Sequence, residues 1–195
     1  MTFYAFSHVV VNATLRLVFG FRVIGAENVP RDGGLIVAAN HISNLDPPVL
    51  GSALPRPVSY MAKKELFAMP FLGWLIRRLN AFSVDRQAGG TAALRASLRM
   101  LKEGACVGVF PEGGRNVTGD NAIKGGVAFL AASSGVPIIP TAIVGTRRLR
   151  FRHPITVIFG EPMRVTRNRQ AEGDDLEKWA AEIMQRIRTL QESIR

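Results

Sequence analysis

Histidine is scarce in this chain, with three copies in 195 residues, and one of them stands where general-base chemistry is possible. His41 lies in Asn40-His41-Ile42-Ser43-Asn44-Leu45-Asp46-Pro47-Pro48, directly after the apolar run 35–39. Asp46 followed by Pro47 has the pattern of a helix N-cap with proline in the first turn, so a helix is expected to begin there. On one ideal helix residues five apart lie about 140° apart. A histidine at a strand end and an aspartate at a helix start can instead meet across a short loop. A carboxylate on one imidazole nitrogen fixes the tautomer and leaves the other nitrogen as a proton acceptor. That is the base half of a catalytic triad, with no serine or cysteine obliged to follow it. Turn-forming and capping roles alone fit the same residues.

A second constellation is Val109-Phe110-Pro111-Glu112-Gly113-Gly114-Arg115-Asn116. Pro111 ends strand pairing, and the two glycines let backbone amides approach a ligand closely. Glu112 offers an acid, and Arg115 a guanidinium suited to bidentate phosphate recognition. No Gly-Lys-Ser/Thr follows, so this is not a P-loop. A surface loop with a Glu–Arg ion pair is the plainer alternative. Lys63 and Lys64 follow another strand-like run, and Arg86 closes Phe82-Ser83-Val84-Asp85-Arg86. Ligands gather beyond strand ends in α/β sheets, so each of these cations is a candidate for the same anion, or else a solvated charge.

Those positions need a scaffold, and the pattern around them alternates strand-like and helix-like pieces. Short apolar runs at 35–39, 58–61, 81–84, 107–110, 138–144 and 155–159 are bounded by Gly or Pro. Helical patterns cover roughly 46–53, 65–79, 90–103 and 122–134. Leu176, Trp179, Ala180, Ile183, Ile187, Leu190 and Ile194 then recur at three- and four-residue steps, with Asp174 or Asp175 placed to cap. This alternation predicts a single α/β domain over 21–195, a mixed central sheet flanked by helices. Residues 1–20 are read separately. Phe3 to Phe19 is apolar apart from Ser7, His8, Asn12, Thr14 and Arg16, about 25 Å of helix, whereas a span needs about 20 apolar residues. His8, Asn12 and Arg16, four apart, form one narrow polar stripe. The expectation is an N-terminal amphipathic, membrane-associated helix lying in the interface; a helix packed on the domain's own core is the alternative.

Composition narrows the function classes. Hydrophobic residues make up 47% and charged residues 21%, which excludes a disordered chain. The lone Cys106 excludes a disulfide framework and a Cys-rich metal site. A balance of 25 Lys+Arg against 15 Asp+Glu gives +10, which favours anionic partners. The cluster Arg147-Arg148-Leu149-Arg150-Phe151-Arg152 carries one aromatic, a poor platform for stacked bases. It reads better as a patch for lipid headgroups or an acidic carrier.

Four blocks taken together resemble the glycerophospholipid acyltransferase family, particularly its lysophosphatidic acid (1-acylglycerol-3-phosphate) acyltransferases. The N-H-x-x-x-x-D motif is matched by Asn40, His41 and Asp46, and an aromatic-x-x-D-R pattern by Phe82 to Arg86. F-P-E-G-T-R-S is matched at Phe110, Pro111, Glu112, Gly113 and Arg115, and V-P-I-x-P by Val136 to Pro140. An A-K-x-E-L segment is present as Ala62 to Leu66. The resemblance spans about residues 20–160. Gly114 and Asn116 depart from the usual threonine and serine.

The resemblance implies that His41 deprotonates the acceptor hydroxyl, which attacks the thioester of acyl carrier protein or coenzyme A, with Asp46 supporting the imidazolium. It implies that Arg115, Arg86 and Lys63 hold the acceptor phosphate and that Glu112 and Gly113 shape the glycerol end. The product would be phosphatidic acid, made from a lysophospholipid at an anionic membrane surface on the cytoplasmic face of the cell membrane. No metal, no cofactor beyond the acyl donor and no nucleic acid is expected. The rivals are the same chemistry on glycerol 3-phosphate or another lysolipid, and a non-catalytic basic peripheral membrane protein.

Overall fold

The computed structural model describes residues 2–84, 91–116, 123, 125–166 and 173–194. Among the described residues the strands are β1 (Arg22–Ile24), β2 (Leu35–Ala39), β3 (Val58–Lys63), β4 (Phe82–Val84), β5 (Cys106–Val109), β6 (Ile138–Val144) and β7 (Thr156–Phe159). The α-helices described are α1 (Phe3–Phe19), α2 (Asp46–Ala53), α3 (Lys64–Ala68), α4 (Pro70–Arg78), α5 (Thr91–Lys102), α6 (Gly126–Ser134) and α7 (Asp174–Glu192). These strands form one mixed sheet in the order β1-β7-β6-β2-β5-β3-β4, in which β6 and β7 pair antiparallel and the other neighbours parallel.

Strand β2 is buried along its whole length, which is why its five residues are all apolar rather than alternating. Leu35, Val37 and Ala39 face a core completed by Leu15 of α1 and Val49, Leu50 and Ala53 of α2. Ile36 and Ala38 face the other, with Leu101 of α5, Val127, Leu130 and Ala131 of α6, and Ile183, Met184 and Ile187 of α7. Helices therefore cover both faces of the sheet. Because β2, β3, β5 and β6 run the same way, the loops after them open at one edge. His41, Lys63, the 110–116 loop and Thr146 all follow from that edge.

Several expectations need correction. The helix expected over 65–79 is two helices, because Pro70 lacks the N–H that would continue α3 and begins α4 instead. Strand β1 escaped notice: three residues pairing at one edge leave too little pattern. The cap of α7 is Gly173 rather than Asp174 or Asp175, which fall in its first turn and complement the dipole there. Residues 90, 122 and 124 of the expected helices lie outside the described residues.

Helix α1 is turned differently from the plain amphipathic picture. The middle of its polar stripe faces inward, where the Asn12 amide donates to the Ser52 carbonyl at 2.9 Å, while the exposed Arg16 reaches back along the helix, its Nε donating to Asn12 Oδ1 at 2.7 Å. Leu15 is buried, Val11 and Phe19 join the same core, and the Val58 N–H donates to the Tyr4 hydroxyl. The outward face carries exposed Phe6, Val9, Val10 and Leu17. No described helix is long and apolar enough to cross a membrane.

Candidate active site

Strand β2 delivers Asn40 and His41 to the open edge. The buried Asn40 amide pairs with both backbone groups of Ile143, accepting from its N–H at 2.7 Å and donating to its carbonyl at 2.9 Å. It thereby substitutes for strand pairing just where β2 ends and holds His41 at the mouth of the sheet. The His41 Nδ1 lies 2.9 Å from Asp46 Oδ2, and the Asp46 side chain is wholly buried while the imidazole keeps 15% of its surface.

Asp46 is not the helix cap that its sequence position implies. Leu45 occupies that position and Asp46 is the first helical residue. Its carboxylate turns back over the loop, where Oδ2 also accepts the Ile42 and Ser43 N–H groups, each at 2.7 Å. Oδ1 accepts the Thr146 hydroxyl at 2.6 Å. A buried carboxylate needs such donors to offset its lost hydration, and once they are in place the side chain has one orientation. Since a carboxylate only accepts, Nδ1 carries the hydrogen between them, and Nε2 is left as the basic nitrogen.

The 110–116 loop closes on the same histidine. A turn returns the Gly113 N–H to the Phe110 carbonyl, and Gly113 takes a φ of 66° that a residue with a β-carbon adopts only at a cost. This folds Glu112 inward, where Oε2 accepts the His41 N–H at 2.6 Å. The Asn116 N–H donates to the His41 carbonyl at 2.6 Å, and its side-chain amide to Glu112 Oε1 at 3.2 Å. Phe110 stacks on the imidazole with ring centres 4.3 Å apart, and Tyr60 stacks on Phe110. Burial raises the Glu112 carboxyl above its ordinary range, with the His41 N–H and the Asn116 amide opposing that rise.

The structure thus joins His41 and Asp46 directly and ties Glu112 to the histidine backbone, with Gly113 making the turn. Glu112 commits both carboxylate oxygens to the protein. Arg115 is exposed on the same loop, and Lys63 is exposed at the end of β3 on the same edge. Arg86 lies outside the described residues. Cys106 is 1% exposed, and burial pushes its thiol up to about 12, so it is an inert core residue rather than a nucleophile. Among the described residues no three His, Cys, Asp or Glu side chains gather as a metal-ligand set.

Sequence reasoning missed Thr146 and gave Asn40 no role of its own. Thr146 sits at a strand exit, the signal that singled out Lys63 and Arg86, but a neutral hydroxyl 100 positions from Asp46 carries no further mark.

The sequence model of the Acyltransferase family matches residues 20–144. A 1-acyl-sn-glycerol-3-phosphate acyltransferase of Bacillus subtilis is 34% identical over 164 residues, covering 82% of each chain. One from Streptococcus pneumoniae is 30% identical, covering 83% of this chain and 62% of its own. The crystal structure of the 1-acyl-sn-glycerophosphate acyltransferase from Thermotoga maritima superposes with a TM-score of 0.77 at 28% identity, covering 96% of this chain and 79% of that one.

Proposed function

The chain belongs to the acyltransferase family, and from its site we propose that it moves a fatty acyl group from a thioester of acyl carrier protein or coenzyme A to the 2-hydroxyl of 1-acylglycerol 3-phosphate, forming phosphatidic acid. The observation that carries the chemistry is the pairing of His41 Nδ1 with the buried Asp46 carboxylate, beside a loop that presents Arg115. His41 Nε2 takes the proton of the acceptor hydroxyl as its oxygen attacks the thioester carbonyl. The new C–O bond forms, the C–S bond breaks, and the imidazolium returns the proton to the departing thiolate. Asp46 stabilises the imidazolium between those steps. A positioned base of this kind contributes about 10²–10⁴ in rate. Arg115 would clasp the acceptor phosphate, with Lys63 and Arg86 supporting it, and Gly113 would let the glycerol end approach the loop. The acceptor's identity rests on the motif match and on the similar proteins named above.

The acceptor is a lipid, so the enzyme must meet a membrane. Two features support attachment to one leaflet. Helix α1 turns Phe6, Val9, Val10 and Leu17 outward, an inversion of what water favours. Phe3 meets Trp74 of α4 edge-on at 5.1 Å, continuing that surface to the exposed Phe71 and Met69. Laid at the headgroup–acyl boundary, these side chains would lose their contact with water. The basic surface fits the anionic cytoplasmic leaflet.

The test is product formation by the purified chain from a panel of acceptors, namely 1-acylglycerol 3-phosphate, glycerol 3-phosphate and other lysolipids, with both thioester donors and products resolved by mass. Phosphatidic acid as the dominant product supports the assignment. A different preferred acceptor moves it, and inactivity on all of them refutes it.

A further inference from the structure

Outside the His41–Asp46 site, on the β1–β7 side of the same open end of the sheet, a cleft of about 470 Å³ opens at the C-terminal end of α1, lined chiefly by Arg16, Leu17, Arg22, Phe151 and Arg152. Three arginines thus share one small space. No Asp or Glu occurs in residues 1–26 or 146–160, and none of the three forms an ion pair with a described carboxylate. Like charges brought together without a counter-charge repel, and a bound anion removes that repulsion.

The far wall is built with some strain. Arg152 takes a φ of 61°, a left-handed conformation unfavourable to a residue with a β-carbon. It is held there because its N–H donates to the Val18 carbonyl at 2.8 Å, in a turn where the His153 N–H donates to Arg150. The loop 147–153 is therefore fastened to the last turn of α1, and it carries Phe151 and Arg152 to the cleft. Leu17 is 81% exposed and Phe151 75% exposed. A small soluble anion would need neither. Leu17 also lies on the outward face shared by Phe6, Val9 and Val10, so the cleft opens beside the surface read above as membrane-facing.

We propose that this cleft binds the phosphate of an anionic, non-substrate phospholipid, with the arginines on the headgroup and Leu17 and Phe151 against the adjoining acyl region. The proposal rests on the membrane attachment of α1, and its test separates the two. Partition of the full-length chain is measured by flotation with phosphatidylcholine vesicles and with vesicles also containing phosphatidylglycerol. Wild type is expected on both, more tightly on the anionic ones. An arginine near an anionic surface contributes about fivefold in binding, so Arg22→Gln with Arg152→Gln should cost about twenty-five-fold on anionic vesicles and little on neutral ones. Arg16→Gln with Arg22→Gln leaves the strained loop untouched and should act alike, which covers failure of the first variant to fold. Arg95→Gln with Arg99→Gln, an equal charge change on α5, should cost far less. Wild type that floats equally with both vesicles overturns the cleft while leaving the attachment standing. Wild type that floats with neither overturns the attachment and the cleft together. Equal losses in the α5 control show a diffuse field rather than a site. Cleft variants with unchanged flotation but a raised KM for acyl carrier protein thioester assign the cleft to that acidic protein, and the lipid proposal falls.

Discussion

Replacing Thr146 by valine removes one hydroxyl and keeps the side-chain shape. In the structure that hydroxyl donates to Asp46 Oδ1 at 2.6 Å, with Thr146 2% exposed and Asp46 wholly buried. Its loss leaves a buried carboxylate oxygen without its donor, and a hydrogen bond to a charged group contributes about 1.5–3 kcal/mol. Oδ2 keeps the imidazole and two backbone N–H groups, so the carboxylate still points at His41. The catalytic loss should therefore sit at the low end of that range, about tenfold in kcat. A split between kcat and KM separates a positioning role from a merely structural one: kcat should fall while the KM for each substrate holds. Thr146→Ser restores the donor and should restore the rate. The measurement is kcat and KM for both substrates, with urea unfolding in parallel. A valine variant that loses stability but keeps wild-type kcat would refute the reasoning.

Other perturbations test neighbouring parts of the site. A β-carbon at Gly108 would lie 2.3 Å from Tyr60 Cε1, and Tyr60 backs the Phe110 ring that stacks on His41. Gly108→Ala should cost about 1–3 kcal/mol by overpacking and lower kcat, and urea unfolding with turnover near wild type would show the stack to be dispensable. Burial raises the Glu112 carboxyl above the 4.5 of the free group, so above pH 4.5 the unfolded chain gives up this proton first. The native state then binds more protons, and its stability falls as pH rises through that window. Glu112→Gln removes this contribution, so its stability relative to wild type should improve from pH 4.5 upward, and a pH-independent difference in urea unfolding would contradict it. Arg115→Ala should raise the KM for a phosphorylated acceptor about tenfold or more while changing the donor KM far less; equal effects would assign Arg115 to the loop's structure.

How much of this was legible in the sequence follows from distance along the chain. His41 and Asp46 are five apart, so one loop brings them together and the motif announces the pair. Glu112 was legible as an acid beside glycines but not as the acceptor for the His41 N–H, because that bond joins residues 71 apart. The sheet order decides it by placing β5 beside β2. The strand at 35–39 was unmistakable because a strand buried on both faces is uniformly apolar, while β1 offered three residues at one edge. The direction of α1 was the hardest to read. Its polar stripe was visible, but it takes the packing of Asn12 against Ser52 to show that the middle of the stripe faces the protein and an apolar face looks outward.

The central claim is that His41, oriented by Asp46, is the base that activates the acceptor hydroxyl. The most direct test is the single-turnover rate of acyl transfer to 1-acylglycerol 3-phosphate by wild type and by His41→Ala, on samples with matching circular dichroism. Removing the base should slow the chemical step by about 10²–10⁴ while leaving both substrates bound. A folded alanine variant that transfers the acyl group near the wild-type rate would contradict the account.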